Sequence, residues 1–376
     1  MNDKVIYLDN ASTTPLNKRV LDKMTPYLTD VYGNANSLHN VGRIAVKGLD
    51  EARSIIADII NADFNEVYFT SCGTESDNWA LRGAFNNKQG KSKLVVSKIE
   101  HSAVLNTADD LEKQGATVIK VSPNKDGFVE PSEYRKVVDN NTFLTTLMYA
   151  NNEIGTIQKV KEVAEIAHQN GSLFFTDAVQ AMGVININVK EINADMLSFS
   201  AHKFGGPKGV GCLYIKNGVN IGSIVSGGHQ ERSKRGGTSN VASAIGMAYA
   251  LKYSRENLDK NNAYVKGLRE RFITKVLTEI KNTHLNGDRE MRLFNNANIT
   301  FNGVDGEALL YQLDMRGICV SLGAACSAGS VSPSHVLTSI GLSDTDAKSS
   351  IRFTFGLNNT ESDVDYTVET LKNLIK

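Results

Sequence analysis

Along this chain, short apolar runs alternate with stretches in which apolar residues recur every three or four positions. Runs at 5–8, 66–69, 94–97, 117–121, 143–149, 173–175, 196–199 and 212–215 read as strands, and the periodic stretches 16–28, 43–60, 75–85 and 160–169 read as helices. Gly171 ends the last of these. Strand-helix alternation continuing to about residue 215 predicts an α/β layered domain with a largely parallel sheet. Beyond it, residues 241–280 are helical with a polar break at 257–262. Strands at 297–301, 318–321 and 351–354 then mix with helices at 306–315, 333–340 and 361–374. That second pattern is α+β. The division expected is a large domain over 15–258 and a small one built from 1–14 and 259–376.

Length agrees with two domains, since 376 residues exceed what a single core holds. Lys+Arg and Asp+Glu are both 41, which leaves no net charge to draw the chain to nucleic acid or a membrane surface. No apolar run approaches the roughly 20 residues of a membrane span. The opening MNDKVIYLDN lacks the layout of a secretory signal, so a cytoplasmic location is expected. The four cysteines, at 72, 212, 319 and 326, form no CxxC, and no metal site is expected.

The chemistry concentrates at strand ends, where ligands gather in open α/β sheets. In MLSFSAHKFGGPKGVGCLYI (196–215) a buried strand breaks at His202-Lys203, and a glycine-rich loop follows. A lysine at the mouth of such a strand is placed to be desolvated and to react as an amine, which suggests a Schiff base to pyridoxal phosphate. The segment TSCGTESDN (70–78) carries small residues into a helix start, a natural phosphate site that also reads as an ordinary helix cap. His101 ends one strand, and Asp177 ends a very apolar one, where a buried carboxylate needs a partner such as a pyridinium or a helix to cap. The polar loop 227–240 is longer than a connection requires. Finally, SLGAACSAGSVSP (321–333) is almost all small residues. Its Cys326 is expected on a mobile, exposed loop, whereas Cys212 and Cys319 belong to apolar strands.

Ten segments together, YLDNASTTP, GNANSLH, TSCGTESDN, EHSAV, NNEIG, TDAVQ, SFSAHKFGGPKG, GGHQERSKRGGT, GAACSAGS and SSIRFTFG, resemble in order the motifs of the cysteine desulfurases. The resemblance runs nearly the whole chain. It implies a fold-type-I pyridoxal phosphate domain with a mostly parallel seven-stranded sheet, plus the smaller α+β domain. It implies that Lys203 carries the cofactor, Asp177 pairs with the pyridine nitrogen, His101 stacks on the ring, and Gln180 meets the ring hydroxyl. Gly73, Thr74, Ser200 and His202 are implied to hold the phosphate, with Thr238 reaching over from the other subunit of a homodimer. Asn34, Asn152 and Arg352 are implied to hold the substrate, with Asn152 also beside the cofactor, and Cys326 to accept sulfur from L-cysteine. The partner implied is a sulfur acceptor, either an iron–sulfur scaffold or a thiolation enzyme. Departures are Cys72 for the usual Gly, Gly73 for Ala, Ser12 for Ala, Ala35 for Pro, Leu322 for a small or hydroxyl residue and Ala324 for Ser. Other enzymes of the same fold, such as an aminotransferase or a selenocysteine lyase, and a non-catalytic sulfur carrier are the competing readings. Cys326 tells against the first group, and the intact Lys203, Asp177, His101 and Arg352 set against the second.

Overall fold

A computed structural model describes residues 5–322 and 332–375 of the protein. The large sheet has seven strands in the order Val67–Thr70, Gly211–Ile215, Met196–Ser200, Leu173–Asp177, Thr142–Thr146, Lys93–Ser97 and Thr117–Val121. Only Gly211–Ile215 runs against its neighbours; the other pairs are parallel. Strand side chains alternate between faces, and here both faces are covered. Phe174, Leu197, Phe199, Cys212 and Tyr214 enter one core. Their neighbours Phe175, Met196, Leu213 and Ile215 enter another on the opposite face, with Trp79 and Phe143. This double covering is why these strands read as unbroken apolar runs.

A third core belongs to the smaller sheet, whose order is Ser321–Leu322, Ser350–Thr354, Asn296–Phe301 and Thr283–Leu285, all antiparallel. The helices Leu258–Glu279 and Glu361–Leu374 cover it through Phe272, Val276, Val364 and Leu371. The long helical stretch breaks at Asn257, between Val241–Glu256 and Leu258–Glu279. The expected strand 318–321 is two short pieces in different sheets. Ile318–Cys319 pairs in parallel with Ile6–Tyr7, and Ser321–Leu322 joins the four-stranded sheet. Ile318 points into the core while Cys319 is half-buried, its thiol 4.0 Å from Asp314 Oδ1, so Cys319 is not the packed apolar cysteine its strand suggested.

The polar loop 227–240 seals the free edge of the large sheet. Glu231 is buried there and takes both guanidinium nitrogens of Arg53 at 2.9 Å, and its carboxylate also accepts from Phe69 N–H on the edge strand at 3.0 Å. Arg232 donates to the Val67 carbonyl at 2.8 Å, and Arg235 grips Glu75 at 2.7 and 2.9 Å. To deliver these groups the backbone makes a left-handed turn at Glu231, Arg232 and Ser233, with φ of 44°, 56° and 63°. Non-glycine residues hold that conformation only under constraint from their surroundings, and the buried ion pair supplies it. Glu231→Ala leaves Arg53 charged and unpaired, and is expected to cost roughly 3–5 kcal/mol. Urea unfolding measures this, and an Arg53→Met/Glu231→Leu pair is expected to recover most of the loss.

Candidate active site

The strand ends set the site. Leu173–Asp177 and Met196–Ser200 are adjacent and parallel, with Asp177 beside Ser198 in register. After Ser200 the chain makes one tight turn, Ala201–Lys203, and reverses through glycines. A Cβ on Gly206 would lie 2.8 Å from Ala201 Cβ, and Gly205 has a φ of +82°, so this reversal requires glycine at both positions. The Lys203 amine then donates to the backbone carbonyls of Ala11 at 2.7 Å and Ser12 at 2.9 Å.

Gly73, Thr74, His101, Asn152, Asp177, Gln180, Ser200, His202, Lys203 and Arg352 all line one cavity of about 360 Å³. The helix on its floor starts at Gly73, earlier than residue 75. Cys72 is its N-cap and makes no side-chain cap, so neither Ser71 nor Thr74 fills that role. Asp177 caps no helix; it accepts from Val179 N–H at 2.8 Å. Gln180 donates to the Ala11 carbonyl at 3.0 Å. Asn34 and Thr238 are exposed, and Asn34 Oδ1 accepts from Asn36 N–H at 2.9 Å within its own turn. Cys326 lies outside the described residues.

Arg352 is buried and fastened from three sides. Nη1 donates to the Asn152 carbonyl at 2.9 Å, and Nη2 to Asp9 Oδ1 at 2.9 Å and to Ser12 Oγ at 2.8 Å. Its Nε is buried with no partner among the described residues. Ser12 therefore touches both ends of the site, with its hydroxyl on Arg352 and its carbonyl on Lys203.

Burial dominates the titration of this region. It raises Asp177 above the ordinary carboxylate range, against the pull of His101, the Val179 N–H and Lys203. Glu100, fully buried behind the cavity, is pushed up to about 8 by burial and then by Asp177. His202 is pushed down to about 4 by burial, then by Lys203 and Lys208, and serves as a neutral imidazole. Buried Cys212 is driven well above the usual thiol range, so it is inert.

Among the lining residues that the sequence did not single out as site residues are Asp77, Glu153, His335 and Ser12. Asp77, Glu153 and Ser12 lay inside motifs already quoted, but nothing local distinguishes a buried carboxyl from a helix-surface one. Glu153 takes a hydrogen bond from Ser334 Oγ, and His335 Nε2 lies 3.1 Å from the Glu100 carbonyl. These contacts join positions 181 and 235 residues apart in the chain.

The side chains present suit pyridoxal phosphate. A helix of 14 residues offers its uncapped start to a phosphate, with Ser200, His202 and Thr74 beside it. At that start a Cβ on Gly73 would come within 2.8 Å of Val179 Cγ2. Asp177, buried and raised, suits a protonated ring nitrogen, and Lys203 supplies the amine. Sheet order and strand-end lysine are those of the fold-type-I pyridoxal phosphate enzymes. The family model for class-V aminotransferases matches residues 6–367, and the chain belongs to that family. Within it, the chain is 44% identical to "Cysteine desulfurase IscS" of Clostridium botulinum over all of this chain and 95% of that protein. It is also 44% identical to "Cysteine desulfurase IscS" of Methanosarcina thermophila, over all of this chain and 93% of that one. A solved "NifS-like protein" superposes with a TM-score of 0.93 at 35% identity, over 99% of both chains. "SspA in complex with cysteine" does so with a TM-score of 0.83 at 32% identity, over 94% of this chain and all of that one. This is a family of pyridoxal-phosphate-dependent enzymes.

Glu100 gives a pH prediction. Its folded value lies above its unfolded value, so the folded state holds a proton that the unfolded state releases. Stability from this group is full below the unfolded carboxyl range near pH 4.5 and declines as pH rises to about 8. Glu100→Gln keeps an acceptor for Ser97 Oγ and Met148 N–H. Its unfolding midpoint is expected to fall less between pH 5 and pH 8 than the parent's, as read by thermal melts at the two pH values.

Proposed function

We propose that this chain is a cysteine desulfurase, which takes sulfur from L-cysteine, releases L-alanine and holds the sulfur as a persulfide on Cys326. The observation that carries this is the pairing, across one cavity, of a strand-end lysine and a buried aspartate with a buried arginine, one donor of which has no partner among the described residues. Lys203 would hold pyridoxal phosphate covalently and Asp177 its ring nitrogen. Gly73, Thr74, Ser200 and His202 would hold its phosphate, and Gln180 its hydroxyl. When bound, the cofactor withdraws electrons from the substrate α-carbon. The Arg352 fork and Asn152 orient the substrate carboxylate, with Asn34 closing on it. The Lys203 amine accepts the α-proton, and His101 covers the ring and relays protons. Cys326 thiolate attacks the substrate sulfur; the C–S bond breaks and an S–S bond forms.

The same reading assigns residues 15–258 to the cofactor domain, and 1–14 with 259–376 to the domain that carries the cysteine loop. It makes the protein a cytoplasmic homodimer in which Thr238 serves the partner's phosphate. The persulfide passes to an acceptor protein, an iron–sulfur scaffold or a tRNA- or cofactor-thiolation enzyme. No helix among the described residues is long and apolar enough to cross a membrane.

The test is direct. With pyridoxal phosphate and L-cysteine the protein is expected to release alanine and to carry a persulfide on Cys326 by mass spectrometry, and to release sulfide once a thiol reductant such as dithiothreitol is added. Lys203→Ala is expected to stop both, and Cys326→Ser to bind cysteine yet lose sulfur release by about 100-fold or more. A Cys326→Ser protein with parental sulfur release refutes the assignment. Arg352→Lys keeps the charge and loses the fork, so KM for cysteine is expected to rise about 10-fold or more with kcat changed less. Steady-state kinetics measures that split.

A further inference from the structure

Asp77 is used by nothing in the mechanism above. It projects from the helix Gly73–Asn86, lines the cavity and is 1% exposed. Ser198 Oγ donates to its Oδ1 at 2.6 Å. Ser198 is the strand neighbour of Asp177, and its carbonyl accepts from Ala178 N–H at 2.9 Å. Through that hydroxyl the Asp77 carboxyl is held at the strand position next to Asp177, and both carboxyls line the cavity.

We propose that Asp77 is a positioning residue for Asp177. Its carboxyl group, fastened by Ser198, donates a hydrogen bond to the Asp177 carboxylate and fixes the direction in which that carboxylate faces the cavity. The inference rests on the reading of Asp177 as the partner of the cofactor's ring nitrogen.

A donating carboxyl must hold its proton, and the surroundings of Asp77 enforce that. The titratable groups that act on it are Asp177, Glu100 and Cys72, all acids, and no ion pair to it forms among the described residues. A second buried negative charge beside Asp177 would meet repulsion from these acids. Burial first and Asp177 second push Asp77 well above the ordinary carboxylate range. The two carboxyl groups thus share one proton and one charge. A ring nitrogen then meets a single, oriented anion, which is what a rigid second layer of hydrogen bonds achieves around a reactive group.

The test compares Asp77→Asn with Asp77→Ala in the full-length holoenzyme. Asparagine keeps the shape, an acceptor for Ser198 and a donor for Asp177 without charge. Asp77→Asn is expected to bind pyridoxal phosphate within about threefold of the parent. It is also expected to keep the pH midpoint of the bound cofactor's visible absorbance and to lose one protonated-carboxyl C=O band in the infrared. Asp77→Ala is expected to bind pyridoxal phosphate about 10-fold more weakly or worse, at parental circular dichroism. Two results overturn the proposal. One is a midpoint lowered by about one pH unit or more in Asp77→Asn, which reveals an ionised Asp77. The other is an Asp77→Ala protein with parental affinity. Should Asp77→Ala not fold, the midpoint and the infrared band of Asp77→Asn still decide. A parent protein that takes up no pyridoxal phosphate fails differently, by removing the site reading beneath the proposal.

Discussion

A carboxylate inside a protein must meet positive charge or donors, and Asp177 imposes that demand at the buried end of a central strand. What surrounds it answers the demand. Val179 N–H donates to it, His101 and Lys203 act on it favourably, and the neighbouring acids Asp77 and Glu100 are pushed toward their neutral forms. Four carboxyl groups, counting Glu153, are buried within one region, and burial raises each of them above the ordinary carboxylate range. A mostly parallel sheet makes this possible, because it brings the C-terminal ends of Leu173–Asp177 and Met196–Ser200 side by side under the start of a helix.

The fold was largely legible, for a physical reason. Strands buried on both faces are continuously apolar, so residues 94–97, 173–175, 196–199 and 212–215 announced themselves. Elements with weaker signals were not found. The strand Thr283–Leu285 is only half-buried, and the helices Pro131–Val137 and Asp344–Lys348 are too short for periodicity to show. The helix expected from 43 begins at Asn40 because His39 Nδ1 caps it, a role the polar spelling of 33–42 hides. The expected strand 143–149 is regular only to Thr146, although Leu147 N–H and Tyr149 N–H still donate to the Phe175 and Asp177 carbonyls of the neighbouring strand at 3.3 and 2.8 Å.

The site was legible where glycine or strand-end chemistry marks it, as at Lys203, Asp177 and Gly73. It was illegible where function depends on contacts between distant segments. Arg352 could be singled out, but not its fastening by Asp9, Ser12 and Asn152, which come from two separate segments. Ser12 looked like a minor departure from a motif, yet it contributes a hydroxyl to Arg352 and a carbonyl to Lys203. The loop 227–240 read only as polar and longer than a connection requires, whereas its Glu231 and Arg232 bond the edge strand of the large sheet.

The segment around residues 6–17 also sets an order of events during synthesis. Its partners are Gly317, Cys319 and Thr354 on one side and His202, Lys203 and Gly205 on the other. A ribosome emits the strap well before Thr354. The large sheet, complete by Ile215, can therefore form on the nascent chain while the carbonyls of Ala11 and Ser12 still lack their final place. The reactive amine acquires its finished surroundings only after the strand Ser350–Thr354 has emerged. A chain cut short of that strand would carry Lys203 without the strap's second row of anchors.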